Sequence, residues 1–142
     1  MILYSHWLSQ ANKYPWMVAL VGSTGGQFCG GTLVASKYVV SAAHCMFTDE
    51  ELTMARPLTE LKVRLGEHNL ANTGEGSLEE KTIEVTKYTN HEDYNPPQHP
   101  NDIVMLELAE EVDLTVYTPA CMAKTSDTTT FDGKTALVYG EY

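Results

Sequence analysis

The chain is 142 residues long and carries 9 Lys and Arg against 19 Asp and Glu, a formal net charge of −10. Its composition, 43% hydrophobic and 20% charged, is that of an ordinary globular chain able to bury a core, but its length is short of the ~200–250 residues of a large all-β enzyme domain. The negative excess argues against nucleic acid and anionic membrane surfaces as partners, and no apolar run approaches the ~18 residues of a spanning helix.

The segment Met1 to Leu8, MILYSHWL, has no basic start, no uninterrupted apolar stretch and no small-residue cleavage site, so no export signal is expected in it. From there strand signals dominate. Pro15 to Val21 is a short apolar run closed by the turn cluster Gly22-Ser23-Thr24-Gly25-Gly26. Phe28 to Val34 follows, interrupted by Gly30-Gly31, where a bulge or a close backbone approach is expected. Tyr38 to Ala43 is β-branched and then small. Ala43 to Met54 has room for one helical turn, with Asp49-Glu50-Glu51 suited to its start.

Leu61 to Leu65 and Thr82 to Tyr88 alternate apolar with polar residues, the period of a half-buried strand. Ile103 to Leu108 is nearly continuous in apolar residues, as for a strand deep in a core. Six short strands with turn punctuation predict an all-β fold, a closed or nearly closed antiparallel barrel. Thr115 to Asp132, rich in Thr, Ser, Pro and Asp, reads as a linker, and Lys134 to Tyr139 as the start of a further strand.

Three cysteines bear on the compartment. Cys29 and Cys45 each end a β-type segment and stand a short loop apart. A bridge between them would contribute ~3 kcal/mol in the chain-entropy account; two reduced thiols are the other reading. Cys121 is then odd, which in a secreted protein points to a partner outside these residues. The cysteines favour export.

Two residues stand out for chemistry. His44, in Val40-Ser41-Ala42-Ala43-His44-Cys45, ends a strand among small residues at a barrel rim. Neutral imidazole is the usual general base near neutral pH; an exposed or structural histidine is the plain alternative. Asp102, in Asn101-Asp102-Ile103-Val104-Met105-Leu106, immediately precedes the most apolar strand and needs a partner if partly buried. A loop Asx-turn would also account for it. A carboxylate accepting from one imidazole nitrogen fixes the tautomer and leaves the other as proton acceptor.

Five segments now stand in order: Tyr14 to Leu20 (YPWMVAL), Phe28 to Val34 (FCGGTLV), Val39 to Cys45 (VVSAAHC), Arg64 to Asn69 (RLGEHN) and Asn101 to Leu106 (NDIVML). Together they closely resemble the first half of a trypsin-like, chymotrypsin-fold serine endopeptidase. The resemblance covers about Tyr14 to Tyr142. It implies that 14–113 is the first six-stranded barrel of a two-barrel fold, that 114–142 is the inter-barrel linker with the first strand of an incomplete second barrel, and that 1–13 lies outside the family pattern. It implies His44 as general acid/base, Asp102 as its orienting carboxylate, Cys29 and Cys45 as the bridge pinning the histidine loop, peptide or protein substrates and an extracellular location.

The departures matter as much. In the family the nucleophile follows His and Asp, inside Gly-Asp-Ser-Gly-Gly. None of the seven serines, Ser5, Ser9, Ser23, Ser36, Ser41, Ser77 and Ser126, has that context. The Ile-Val-Gly-Gly terminus is replaced by Trp7-Leu8-Ser9-Gln10-Ala11, and Tyr139-Gly140-Glu141-Tyr142 stands where Gly-Trp-Gly is usual. The expectation is a fragment or truncated product that does not cleave peptides alone. The other class of function is a non-catalytic secreted barrel that binds a protein or calcium, with an apolar face needing cover.

No cofactor is required by the resemblance, although calcium is possible. The loop opened by Glu67-His68-Asn69 resembles the calcium loop of trypsin-like relatives, with Glu67, the carbonyl of Asn69, and Glu75, Glu79 or Glu80 as candidate ligands. A solvated acidic loop is the alternative. His68, His91 and His99 show no transition-metal spacing.

Overall fold

The computed structural model describes residues 14–49, 51–66, 79–95, 100–123, 133 and 135. Among the described residues six strands form: β1 (Met17–Val21), β2 (Gln27–Ala35), β3 (Tyr38–Ser41), β4 (Lys62–Leu65), β5 (Lys81–Asn90) and β6 (Val104–Leu108). All pairings are antiparallel, and the order β1-β2-β3-β6-β5-β4 closes on itself through the β1–β4 ladder. Closure gives each of these six strands a partner on both sides. The expected all-β, six-stranded antiparallel barrel is what the chain forms, with no α-helix among the described residues.

The alternating segments explain the interior. On β4, Val63 and Leu65 are fully buried while Lys62 and Arg64 are half-buried; on β5, Ile83 and Val85 point in while Thr82, Glu84 and Thr86 are exposed. Leu20, Leu33, Val39, Leu106 and Leu108 complete a packed centre with Met46 and Leu61. β6 differs from the continuously buried strand expected of Ile103 to Leu108. Val104, Leu106 and Leu108 are buried, whereas Ile103 and Met105 are exposed. A barrel strand has an outer face, and a hydrophobic run cannot say which half of it points outward.

Gly22 to Gly26 makes the expected hairpin turn, Gly25 taking φ +86° and the Gly22 amide donating to the Gly26 carbonyl at 2.9 Å. At Gly31 the close approach is the correct reading. A Cβ there would lie 2.9 Å from Val39 Cγ1 and 3.1 Å from the Val40 carbonyl. The register shift of β2 against β3 falls later, between Leu33 and Ala35.

One expectation of local structure needs correction. The helical turn between Ala43 and Met54 is a 3₁₀ turn over Ala43–Met46, and Asp49 follows it instead of starting it. Ala43 and Met46 are fully buried, so tertiary burial sets that turn's position. The segment read as a linker from Thr115 is anchored at its start. Tyr117 is 5% exposed, and its hydroxyl donates to the Glu79 carbonyl at 2.7 Å. Farther on, the Ala120 amide donates to the Leu33 carbonyl on β2. The further strand over 134–139 and the segment 1–13 lie outside the described residues.

Candidate active site

The β3–β6 register brings the two singled-out residues together. Ser41 pairs with Val104, so the chain just beyond Ser41 and the chain just before Val104 emerge at the same end of the barrel. His44 sits in the 3₁₀ turn after β3, on a base of buried Ala43 and Met46, and the disulfide from Cys45 to Cys29 ties that turn to β2. The bridge is therefore the correct reading of the first two cysteines.

Asp102 is held from its other side. Asn101 adopts φ +56°, its side-chain amide donates to the Asp93 carbonyl at 3.2 Å, and the Ile103 amide turns back to the Asn101 carbonyl at 2.7 Å. Left-handed backbone is tolerated by asparagine better than by most residues.

One carboxylate engages one histidine twice. The His44 backbone amide donates to Asp102 Oδ1 at 2.9 Å, and the ring nitrogen Nδ1 lies 2.7 Å from Oδ2. An ionised carboxylate only accepts, so the proton of the neutral ring sits on Nδ1 and the lone pair on Nε2. The His44 side chain is 47% exposed and that of Asp102 is 24% exposed. The acid is thus the better shielded partner, and the imidazole is the one that reaches solvent.

The surroundings are aromatic. Tyr94 packs on Phe47 with ring centroids 6.2 Å apart. Partial burial, and secondarily the negative charge of Asp102, raise the Tyr94 hydroxyl above the usual tyrosine range, so it stays protonated at neutral pH. Tyr94 comes close to Asp102 only through the fold. Arg56 was missed altogether, since no motif marks it. Its side chain donates to the carbonyls of Cys45 and Phe47.

The proposed calcium residues fare differently. Glu67, Asn69 and Glu75 lie outside the described residues. Glu79 is exposed, and its backbone carbonyl is taken by the Tyr117 hydroxyl. Among the described residues one group of metal-type side chains comes together, Cys29, His44 and Cys45. Its two sulfurs are joined to each other, so neither is a thiolate ligand. Cys121 is exposed and makes no disulfide. No helix among the described residues is long and apolar enough to cross a membrane.

Comparison with known proteins agrees with this geometry. Residues 7–141 match the trypsin family. The chain is 36% identical to Trypsin I-P1 of Gallus gallus over 126 residues, 89% of this chain and 44% of that protein. It is 38% identical to Cationic trypsin-3 of Rattus norvegicus over 99 residues, 70% of this chain and 34% of that one. To Trypsin of Xenopus laevis it is 39% identical over 98 residues, 69% of this chain and 34% of that one. The chain spans less than half the length of the curated relatives it matches. A closed antiparallel barrel, a histidine paired with an aspartate at its rim and a family match over most of the residues lead to one conclusion: the chain belongs to the trypsin-like serine peptidases and corresponds to the amino-terminal half of that fold.

Proposed function

We propose that these residues supply the base and its orienting acid to a serine endopeptidase site. The observation that carries the reading is the double engagement of His44 by Asp102, through ring and backbone together. In such a site His44 Nε2 takes the proton of a serine hydroxyl as its oxygen attacks the scissile carbonyl. The imidazolium so formed is stabilised by Asp102, and His44 then returns the proton to the leaving amine. Asp102 stays ionised throughout and acts by holding tautomer and orientation.

The serine has to come from elsewhere. None of the seven serines stands in the nucleophile motif, and an aligned base without nucleophile or oxyanion donors has no acyl chemistry to promote. We therefore infer that these 142 residues alone do not cleave peptides, and that nucleophile, oxyanion donors and specificity pocket belong to a longer polypeptide acting on peptide or protein substrates. The disulfide supports an extracellular setting.

The experiment has two arms. The 142-residue chain treated with a fluorophosphonate is expected to take up no label; stoichiometric labelling overturns the claim that it lacks an activated serine. A chimera joining residues 14–142 to the carboxyl-terminal half of a trypsin-family peptidase is expected to hydrolyse a peptide ester. In that chimera His44→Ala lowers kcat/KM by roughly 10⁴-fold or more. A chimera equally active with and without the imidazole removes His44 from the mechanism.

A further inference from the structure

Three successive carbonyls beside the histidine end on one side chain and its backbone. The Arg56 backbone amide donates to the Met46 carbonyl at 2.8 Å. Its Nε donates to the Cys45 carbonyl and its Nη2 to the Phe47 carbonyl, both at 3.3 Å. These carbonyls lie at the end of the 3₁₀ turn Ala43–Met46 and just after it, where backbone acceptors lack partners within the turn. A fixed guanidinium fork can serve two of them at once, and a cation suits that end of the turn.

The same guanidinium has a second anchor. Its Cζ lies 3.7 Å above the centroid of the Phe28 ring, a cation–π contact on the β2 residue next to Cys29. Arg56 therefore spans the gap between β2 and the histidine turn, the gap that the Cys29–Cys45 bridge also closes. The return of the chain that delivers it is itself fixed, with Phe47 bridged to Ala55 and the Thr48 amide donating to the Met54 carbonyl at 2.9 Å.

We propose that Arg56 is a positioning residue for His44, a non-covalent clamp that works beside the disulfide and keeps the imidazole and the His44 amide aimed at Asp102. Lysine does not replace it, because an ammonium cannot donate through a planar fork and stack on a ring together. The inference rests on the reading of His44 and Asp102 as the working pair. Its test follows their pairing and not hydrolysis, so the two can fail separately.

The test uses the 142-residue chain, with Arg56→Lys, which keeps the charge, and Arg56→Met, which keeps most of the stem. Hydrogen exchange is followed at the His44 amide, which donates to Asp102, and at the amides of the β3–β6 ladder; the Nδ1 proton of His44 is followed by NMR. Both variants are expected to speed exchange at His44 by about tenfold relative to the ladder, and to broaden the Nδ1 proton signal. A folded Arg56→Lys chain with unchanged His44 protection and an unchanged Nδ1 signal overturns the proposal. So does acceleration equal at His44 and along the ladder, which is the mark of a purely structural role. Should neither variant fold, the unsubstituted chain decides. An Arg56 Nε proton exchanging as fast as in free arginine overturns the clamp, and a protected one supports it.

Discussion

At the scale of single residues, the informative contrast is between an ionised carboxylate and its isosteric amide at position 102. Asp102 accepts from the His44 ring at 2.7 Å and from the His44 amide at 2.9 Å. Asparagine has nearly the same shape, but half of its head is a donor. If the amide oxygen keeps the backbone N–H, the amide nitrogen faces Nδ1 and donates to it, driving the ring proton to Nε2. Asp102→Asn is therefore expected to leave the barrel folded while switching His44 from the Nδ1–H to the Nε2–H tautomer. Ring nitrogen chemical shifts report this directly, and an unchanged tautomer would show that the carboxylate does not set it. Both residues were visible in the sequence because short motifs surround them. Tyr94 and Arg56 were not, because each acts through a contact made across the fold.

At the scale of elements, the loop after the histidine turn shows how an acid can be noticed for the wrong reason. Asp49, Glu50 and Glu51 suit the start of a helix, yet Asp49 accepts from the Thr53 hydroxyl at 2.7 Å, the Met54 amide at 2.7 Å and the Thr53 amide at 3.0 Å. The carboxylate ties a turn together instead of starting a helix, and local sequence cannot choose between two sets of backbone donors. Those bonds, led by the Thr53 hydroxyl, hold the Asp49 carboxyl below its ordinary range. Asp113 is lowered in the same way, first by the Thr115 hydroxyl and then by its amide.

The sign follows from linkage. A carboxyl whose folded pKa lies below its unfolded value contributes stability that is fully present above the unfolded value, about 3.9, and is lost as pH falls through the folded value. Asp49→Asn should lower the thermal midpoint at neutral pH, and the gap to the parent chain should narrow once pH drops below about 3.9. A gap that stays constant down to pH 2 would mean that the charge of Asp49 contributes nothing.

For the molecule as a whole, the barrel was legible because its strands are short, punctuated and alternating. Its strand order was not, since the β1–β4 and β3–β6 ladders pair segments far apart in sequence. Nor could composition reveal which half of Ile103 to Leu108 faces out. A closed ladder around a core of Leu, Val and Ile side chains bears on what the disulfide has to do. Bridges of this loop length contribute ~3 kcal/mol, a large part of the ~5–15 kcal/mol typical of a domain. Cys29→Ser with Cys45→Ser should therefore lower the unfolding free energy by about 3 kcal/mol in urea, while the strand signals of the native fold persist.

Arg56 crosses the same gap, so the two clamps are not independent. Each one alone holds the histidine turn on β2 more loosely than the two together; with neither, the turn keeps only its buried Ala43 and Met46 and the bonds from His44 to Asp102. Combining the serine pair with Arg56→Lys should cost more than the sum of the separate losses, by about 0.5–3 kcal/mol, the range of coupling between residues in contact. Losses that add to within about 0.5 kcal/mol would show that the bridge and the guanidinium stabilise separate parts of the barrel.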